Sequence, residues 1–99
     1  MNQDKQLKYD KAYLKMAAEW AKLSYCERKQ VGALIVKNRM IISDGYNGTP
    51  SGFENICETD SGQTKWYVLH AEANAILKWG PKAVKSIISF IVILAIVSL

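Results

Sequence analysis

All 22 charged residues of this 99-residue chain fall between Met1 and Lys85, and residues 86–99 carry none. That break constrains the fold more than any other feature. The charged part can choose between core and solvent along each element. The final 14 residues can only be covered, by a sheet, by lipid or by other copies of themselves. Ile87, Ile88, Ile91, Val92, Ile93, Ile96 and Val97 make this run rich in β-branched residues, which favours a strand. Yet it lacks period-two alternation and is long for a strand. As a membrane segment it is short of the roughly 18–20 apolar residues a spanning helix needs, although Lys78, Lys82 and Lys85 would suit an inward-facing flank. A truncated or frameshifted reading of a longer gene is the third account. Under each of them the exposed run is prone to aggregate, and ending the chain after Lys78 or Lys85 is expected to raise soluble yield.

The chain is one domain at most. Hydrophobic residues at 49% and charged residues at 22% are a globular rather than a disordered composition, and three Trp and five Tyr imply a packed interior. Cys26 and Cys57 are too few for a disulfide scaffold. Charges from Asp4 to Lys11 exclude a secretory leader, which makes the cytoplasm the expected location. The net charge of +4 suits a small anion, and no Lys/Arg block points to a nucleic-acid polymer.

Residues 9–25 read as a helix with Asp10 as its N-cap. Tyr13, Met16 or Ala17, Trp20 and Leu23 would form its apolar stripe, opposite Lys11, Lys15, Glu19 and Lys22. Residues 31–36 (VGALIV) predict a buried strand, residues 37–39 a turn, and Met40 to about Tyr46 a second strand, together an antiparallel hairpin. Residues 47–62 are rich in Gly, Pro, Ser, Asn and Asp and predict a long loop of the kind that carries function. A second helix should begin near His70 and end at Gly80–Pro81.

His70-Ala71-Glu72 is the first chemical signal. It is the H-x-E half of the zinc deaminase signature, in which one His and two Cys hold Zn²⁺ and the Glu moves protons without ligating. A position in the first helical turn suits it, because the helix N-terminus favours the carboxylate charge. By itself H-x-E is short enough to arise by chance at a helix start.

Its surroundings narrow the reading. Val31-Gly-Ala-Leu-Ile-Val, Ile41-Ile-Ser-Asp-Gly-Tyr-Asn-Gly-Thr-Pro-Ser-Gly and His70-Ala-Glu-Ala-Asn-Ala-Ile-Leu together resemble the deoxycytidylate (dCMP) deaminases of the cytidine deaminase-like superfamily, over residues 11–78. The resemblance implies an α/β fold, a truncated three-layer α/β/α domain with an N-terminal helix, a β-hairpin, the H-A-E helix and an apolar tail. It implies Zn²⁺ and the hydrolysis of dCMP to dUMP and ammonia. His70 matches the zinc-ligand position, Glu72 the proton shuttle and Asn47 a contact to the nucleoside sugar, with Arg28 and Thr49 as phosphate contacts. Asn47-Gly48 is also a common turn pair. Some relatives hold a second zinc with cysteines near the places of Cys26 and Cys57, which otherwise read as two reduced thiols. The family is often oligomeric, and some members respond to dCTP and dTTP.

The sequence then departs from the pattern. The family carries a strand and P-C-x-x-C beyond H-A-E, and both cysteines of this chain precede His70. One histidine alone does not hold a catalytic zinc, which needs three protein ligands and an open position. The sequence therefore divides into a partial deaminase domain over residues 1–78 and a divergent tail over residues 79–99, expected to be inactive as it stands. The competing readings are a non-catalytic remnant that binds nucleotides and a small tail-anchored membrane protein.

Overall fold

The computed structural model describes residues 2–80 and 91–97. Helix α1 (Asn2–Ala21) is followed by strands β1 (Gln30–Lys37) and β2 (Met40–Tyr46), helix α2 (Ala71–Trp79) and strand β3 (Ile91–Val97). The sheet order is β2-β1-β3, with β1 antiparallel to both neighbours. The hairpin turns at Asn38 and Arg39, both at positive φ (52° and 59°), the backbone that a two-residue turn needs to follow the strand twist. A register shift between Ile35 and Val36 marks a bulge in the β1–β2 ladder.

Side chains alternate across β1 and so feed two cores. Leu34 and Val36 pack with Tyr13 and Ala17 of α1 on one face, joined by Ile93 and Ala95 of β3. Ala33 and Ile35 pack with Ala71 and Ala75 of α2 on the other. The result is helix, sheet, helix, the α/β/α order expected.

Both helices approach the sheet through a glycine. A Cβ on Gly32 would run into the Ala17 carbonyl oxygen and sit 2.6 Å from the Ala21 nitrogen. A Cβ on Gly45 would lie 2.6 Å from the Ala75 nitrogen and 2.7 Å from the Ala71 oxygen. This close contact explains the buried stripe of α1, Tyr13, Ala17 and Ala21, which keeps Tyr13 and Ala17 of the expected set but has Ala21 in place of Leu23, with Trp20 half-buried. Met16 is 39% and Leu23 52% exposed, because only small side chains fit where backbone meets backbone. The helix also begins earlier than expected. Asp4 complements the dipole in its first turn, and Asp10 is no cap but lies inside, accepting a 2.8 Å bond from Gln6 Nε2 one turn before. It ends at Ala21, where the N–H groups of Lys22, Leu23 and Ser24 bond to carbonyls three residues back.

The apolar tail is resolved in part by β3, which pairs with β1 from Gln30↔Val97 to Val36↔Ile91. Its Ile93 and Ala95, half-buried, pack against the α1 core. Residues 91–97 are thus not part of a spanning helix, and no helix among the described residues is long and apolar enough to cross a membrane. Pro81, Lys82, Lys85 and the rest of residues 81–90, with 98–99, lie outside the described residues.

Candidate active site

The site is built where β2 ends and α2 begins. The Asn47 backbone N–H bonds the Val31 carbonyl at 3.1 Å. Its side chain continues the ladder: Oδ1 accepts from the Val31 N–H at 2.9 Å and Nδ2 donates to the Lys29 carbonyl at 2.9 Å. Most of the amide is therefore spent on the start of β1, which leaves one N–H hydrogen of Nδ2 for a ligand. Gly48 and Leu69 then exchange two backbone bonds, 3.1 and 2.8 Å, and close the loop between them. The closure carries His70 to the side of Asn47. His70 is the N-cap of α2 with extended backbone (φ −68°, ψ 155°) and no side-chain cap bond, so its imidazole is not spent on the helix. Glu72 lies in the first turn of the helix.

His70, Glu72, Asn47, Arg28, Lys29 and Lys65 line one cavity of about 530 Å³. Trp66, 92% exposed, also borders it and meets the Tyr67 ring edge-on. The structure thus brings together five of the residues singled out by sequence: His70, Glu72, Asn47, Arg28 and Cys26. Thr49 is not among them. It lines a second cavity of about 320 Å³ with Tyr46, Ser51, Asn55, Asn74 and Lys78, and its Oγ1 is buried without a hydrogen-bond partner among the described residues. Lys29, Lys65 and Glu58 were missed by sequence reading. No periodicity marks them, and only folding shows that the loop and the α1–β1 link face the same space.

Cys26 and Cys57 form a disulfide, which neither the zinc nor the thiol reading expected. Cys26 lines the first cavity and Cys57 the second, so the bond lies in the partition between them. The next residue, Glu58, extends the same attachment: its Oε2 accepts from the N–H groups of Glu27 at 3.1 Å and Arg28 at 3.3 Å. Ser24 adds a 2.8 Å bond from its hydroxyl to the Asn47 carbonyl.

A catalytic zinc needs three protein donors about one metal. Among the described residues the one group of three donors is Cys26, Cys57 and Glu58, within 4.8 Å of one another, and it does not include His70. His70 is the only histidine of the chain, and the sulfurs of both cysteines are bonded to each other. The described residues therefore do not complete a catalytic zinc site around His70.

The sequence and the fold have counterparts among known proteins. The family model for the cytidine and deoxycytidylate deaminase zinc-binding region matches residues 7–94, a span that runs past Lys78 into β3. The deoxycytidylate deaminase of Mycobacterium phage D29 is 36% identical over 83 residues, which is 70% of this chain and 65% of that protein. The Schizosaccharomyces pombe deoxycytidylate deaminase is 36% identical over 87 residues, 77% of this chain and 27% of that one. The crystal structure of dCMP deaminase from cyanophage S-TIM5, in complex with dCMP and dUMP, superposes with a TM-score of 0.78 at 43% identity, over 88% of this chain and 64% of that chain. The chain thus spans less than two thirds of these relatives. With the H-A-E turn at the head of α2, the helix–sheet–helix order and a match over most of its length, the chain belongs to the cytidine and deoxycytidylate deaminase family.

Proposed function

We propose that this chain is the nucleotide-binding part of a dCMP deaminase, an enzyme that hydrolyses the C4 amine of dCMP to give dUMP and ammonia. The observation that carries this reading is the 530 Å³ cavity in which His70, Glu72, Asn47 and Arg28 meet. Glu72 takes the proton-carrying position and His70 the position of an imidazole donor. Arg28 supplies a guanidinium for the phosphate, a planar fork that matches phosphate oxygens. Asn47 offers its remaining amide hydrogen to the sugar. The described residues give His70 no further zinc donors, so the chain alone binds dCMP without turning it over. A cytoplasmic setting, a homo-oligomer and control by dCTP or dTTP belong to the same reading of the intact enzyme. So does the view that β3 is part of the deaminase domain rather than of a separate tail.

The test is to incubate the purified chain with dCMP and Zn²⁺, and to follow binding by calorimetry and dUMP by chromatography. Saturable binding that weakens in R28A, with no dUMP above background, is expected. Steady release of dUMP that is lost in E72Q would contradict the non-catalytic half of the reading, and absence of binding would contradict the rest.

The cluster of Cys26, Cys57 and Glu58 favours a second zinc at that place once the disulfide is reduced. A reducing cytoplasm keeps such pairs as thiols, and thiolates are the ligands zinc takes. One Zn²⁺ retained by the reduced chain in native mass spectrometry, and lost in C57S, is the expected result. Equal retention by C57S would end this reading.

A further inference from the structure

The α1–β1 link around Arg28 has neither helix nor strand to hold it. Beside the bonds of Ser24 and Asn47 to its two ends, two consecutive loop residues hold its middle. Cys57 is bonded to Cys26, and Glu58 accepts hydrogen bonds through one carboxylate oxygen from the backbones of Glu27 and Arg28. Three consecutive residues of the link are thus clamped from across the cavity. Arg28, at the end of the clamp, is exposed, and its guanidinium is in no ion pair among the described residues. Lys29 and Lys65 of the same cavity are likewise without one.

A carboxylate beside a phosphate site would ordinarily repel the ligand. Here Glu58 directs one oxygen to two amide hydrogens, a charge-assisted arrangement that uses its charge on the backbone. Holding the Arg28 backbone still before the ligand arrives reduces the ordering cost that a long, exposed side chain brings to binding. We infer that Glu58 is a positioning residue: through the Glu27 and Arg28 amides it sets Arg28 for the phosphate of the nucleotide, and so governs the preference for a nucleotide over its nucleoside. The inference rests on the reading of Arg28 as the phosphate contact.

The experiment compares dCMP with deoxycytidine by calorimetry, in the full chain with its disulfide intact and EDTA present. Wild type should bind dCMP more tightly than deoxycytidine. E58A should lower that ratio by roughly three- to ten-fold while leaving deoxycytidine binding in place, since the effect reaches the ligand only through Arg28 and the net worth of one ordinary hydrogen bond is about that much. E58Q, which keeps an oxygen acceptor at the same reach, should restore most of the ratio. R28A should abolish the preference, and E58A should add nothing to it. Should E58A not fold, E58D answers the same question, because its shorter side chain withdraws the carboxylate from the amides, and the ratio must fall. A ratio unchanged in E58A or E58D, or equal weakening of both ligands, would make Glu58 a loop fastener and overturn the inference. A wild type with no preference for dCMP would show instead that the phosphate reading of Arg28 is wrong, and the inference would fall with it.

Discussion

The helix–sheet scaffold and the loop between Asn47 and His70 are held by different physics. Where α1 and α2 meet the sheet, Gly32 and Gly45 let backbone touch backbone, and the surrounding side chains are Ala, Leu, Ile and Val. That region is defined by the space it lacks. The loop has almost no buried apolar side chain between Gly48 and Leu69 other than Cys57. It is fastened at points: the Gly48–Leu69 bonds, the Asn47 side chain, the disulfide and Glu58. The scaffold places the two ends of the site, and the fasteners place its wall. Damage to the first should unfold the protein, whereas damage to the second should loosen a folded one.

The largest effect should come from removing β3. A chain ending at Lys85 loses the whole β1–β3 ladder and the Ile93 and Ala95 contacts in the α1 core. The expected loss is comparable to the total stability of a small domain, about 5–15 kcal/mol. Circular dichroism on heating should then show no cooperative transition. This reverses the expectation that trimming the apolar tail raises soluble yield. An unchanged transition with better yield would place β3 outside the fold.

Gly32→Ala ranks next. Its Cβ meets a carbonyl that the helix cannot withdraw, so α1 must shift, at a cost of about 3 kcal/mol or more. Gly45→Ala should behave alike at α2. Urea midpoints of the two variants measure this directly. Variants with wild-type midpoints would show that the helices do not sit so close.

On the loop side, reducing the disulfide frees a span of 31 residues, worth about 3–4 kcal/mol in the chain-entropy estimate. A lower urea midpoint in dithiothreitol, with far-ultraviolet dichroism retained below it, is the expected pattern. Asn47→Ala should cost about 1–3 kcal/mol, because the Val31 N–H loses its acceptor. Loss of helix signal on mild reduction would mean that the scaffold depends on its fasteners, and the contrast would fail.

This contrast also explains what the sequence disclosed. The hairpin, its turn at Asn38 and Arg39 and the helix that ends at Gly80 follow from local pattern, and the structure has them. The position of His70 and Glu72 at the head of α2 was legible for the same reason. The buried face of α1 was legible only in part: Tyr13 and Ala17 belong to the expected stripe, but Met16 and Leu23 look more suitable for a core than Ala21 until Gly32 is known to lie beneath. The extent of α1 was misjudged because Asp10 resembles a cap but bonds within the helix. The disulfide, the Glu58 bonds and the meeting of Lys29 and Lys65 at one cavity depend on contacts across 30 or so residues, which no local pattern encodes. Thr49 shares a motif with Asn47 and yet faces another cavity, because the chain passes through the wall between the two.

The most direct test of this account is amide chemical-shift mapping of the full chain as dCMP is added. Saturable shifts are predicted at Arg28, Asn47, His70 and Glu72, around the larger cavity, with Thr49, Ser51 and Asn74 unmoved. Shifts centred on Thr49 and Asn74, or none at any concentration that saturates a weak site, would contradict the assignment of the nucleotide to that cavity.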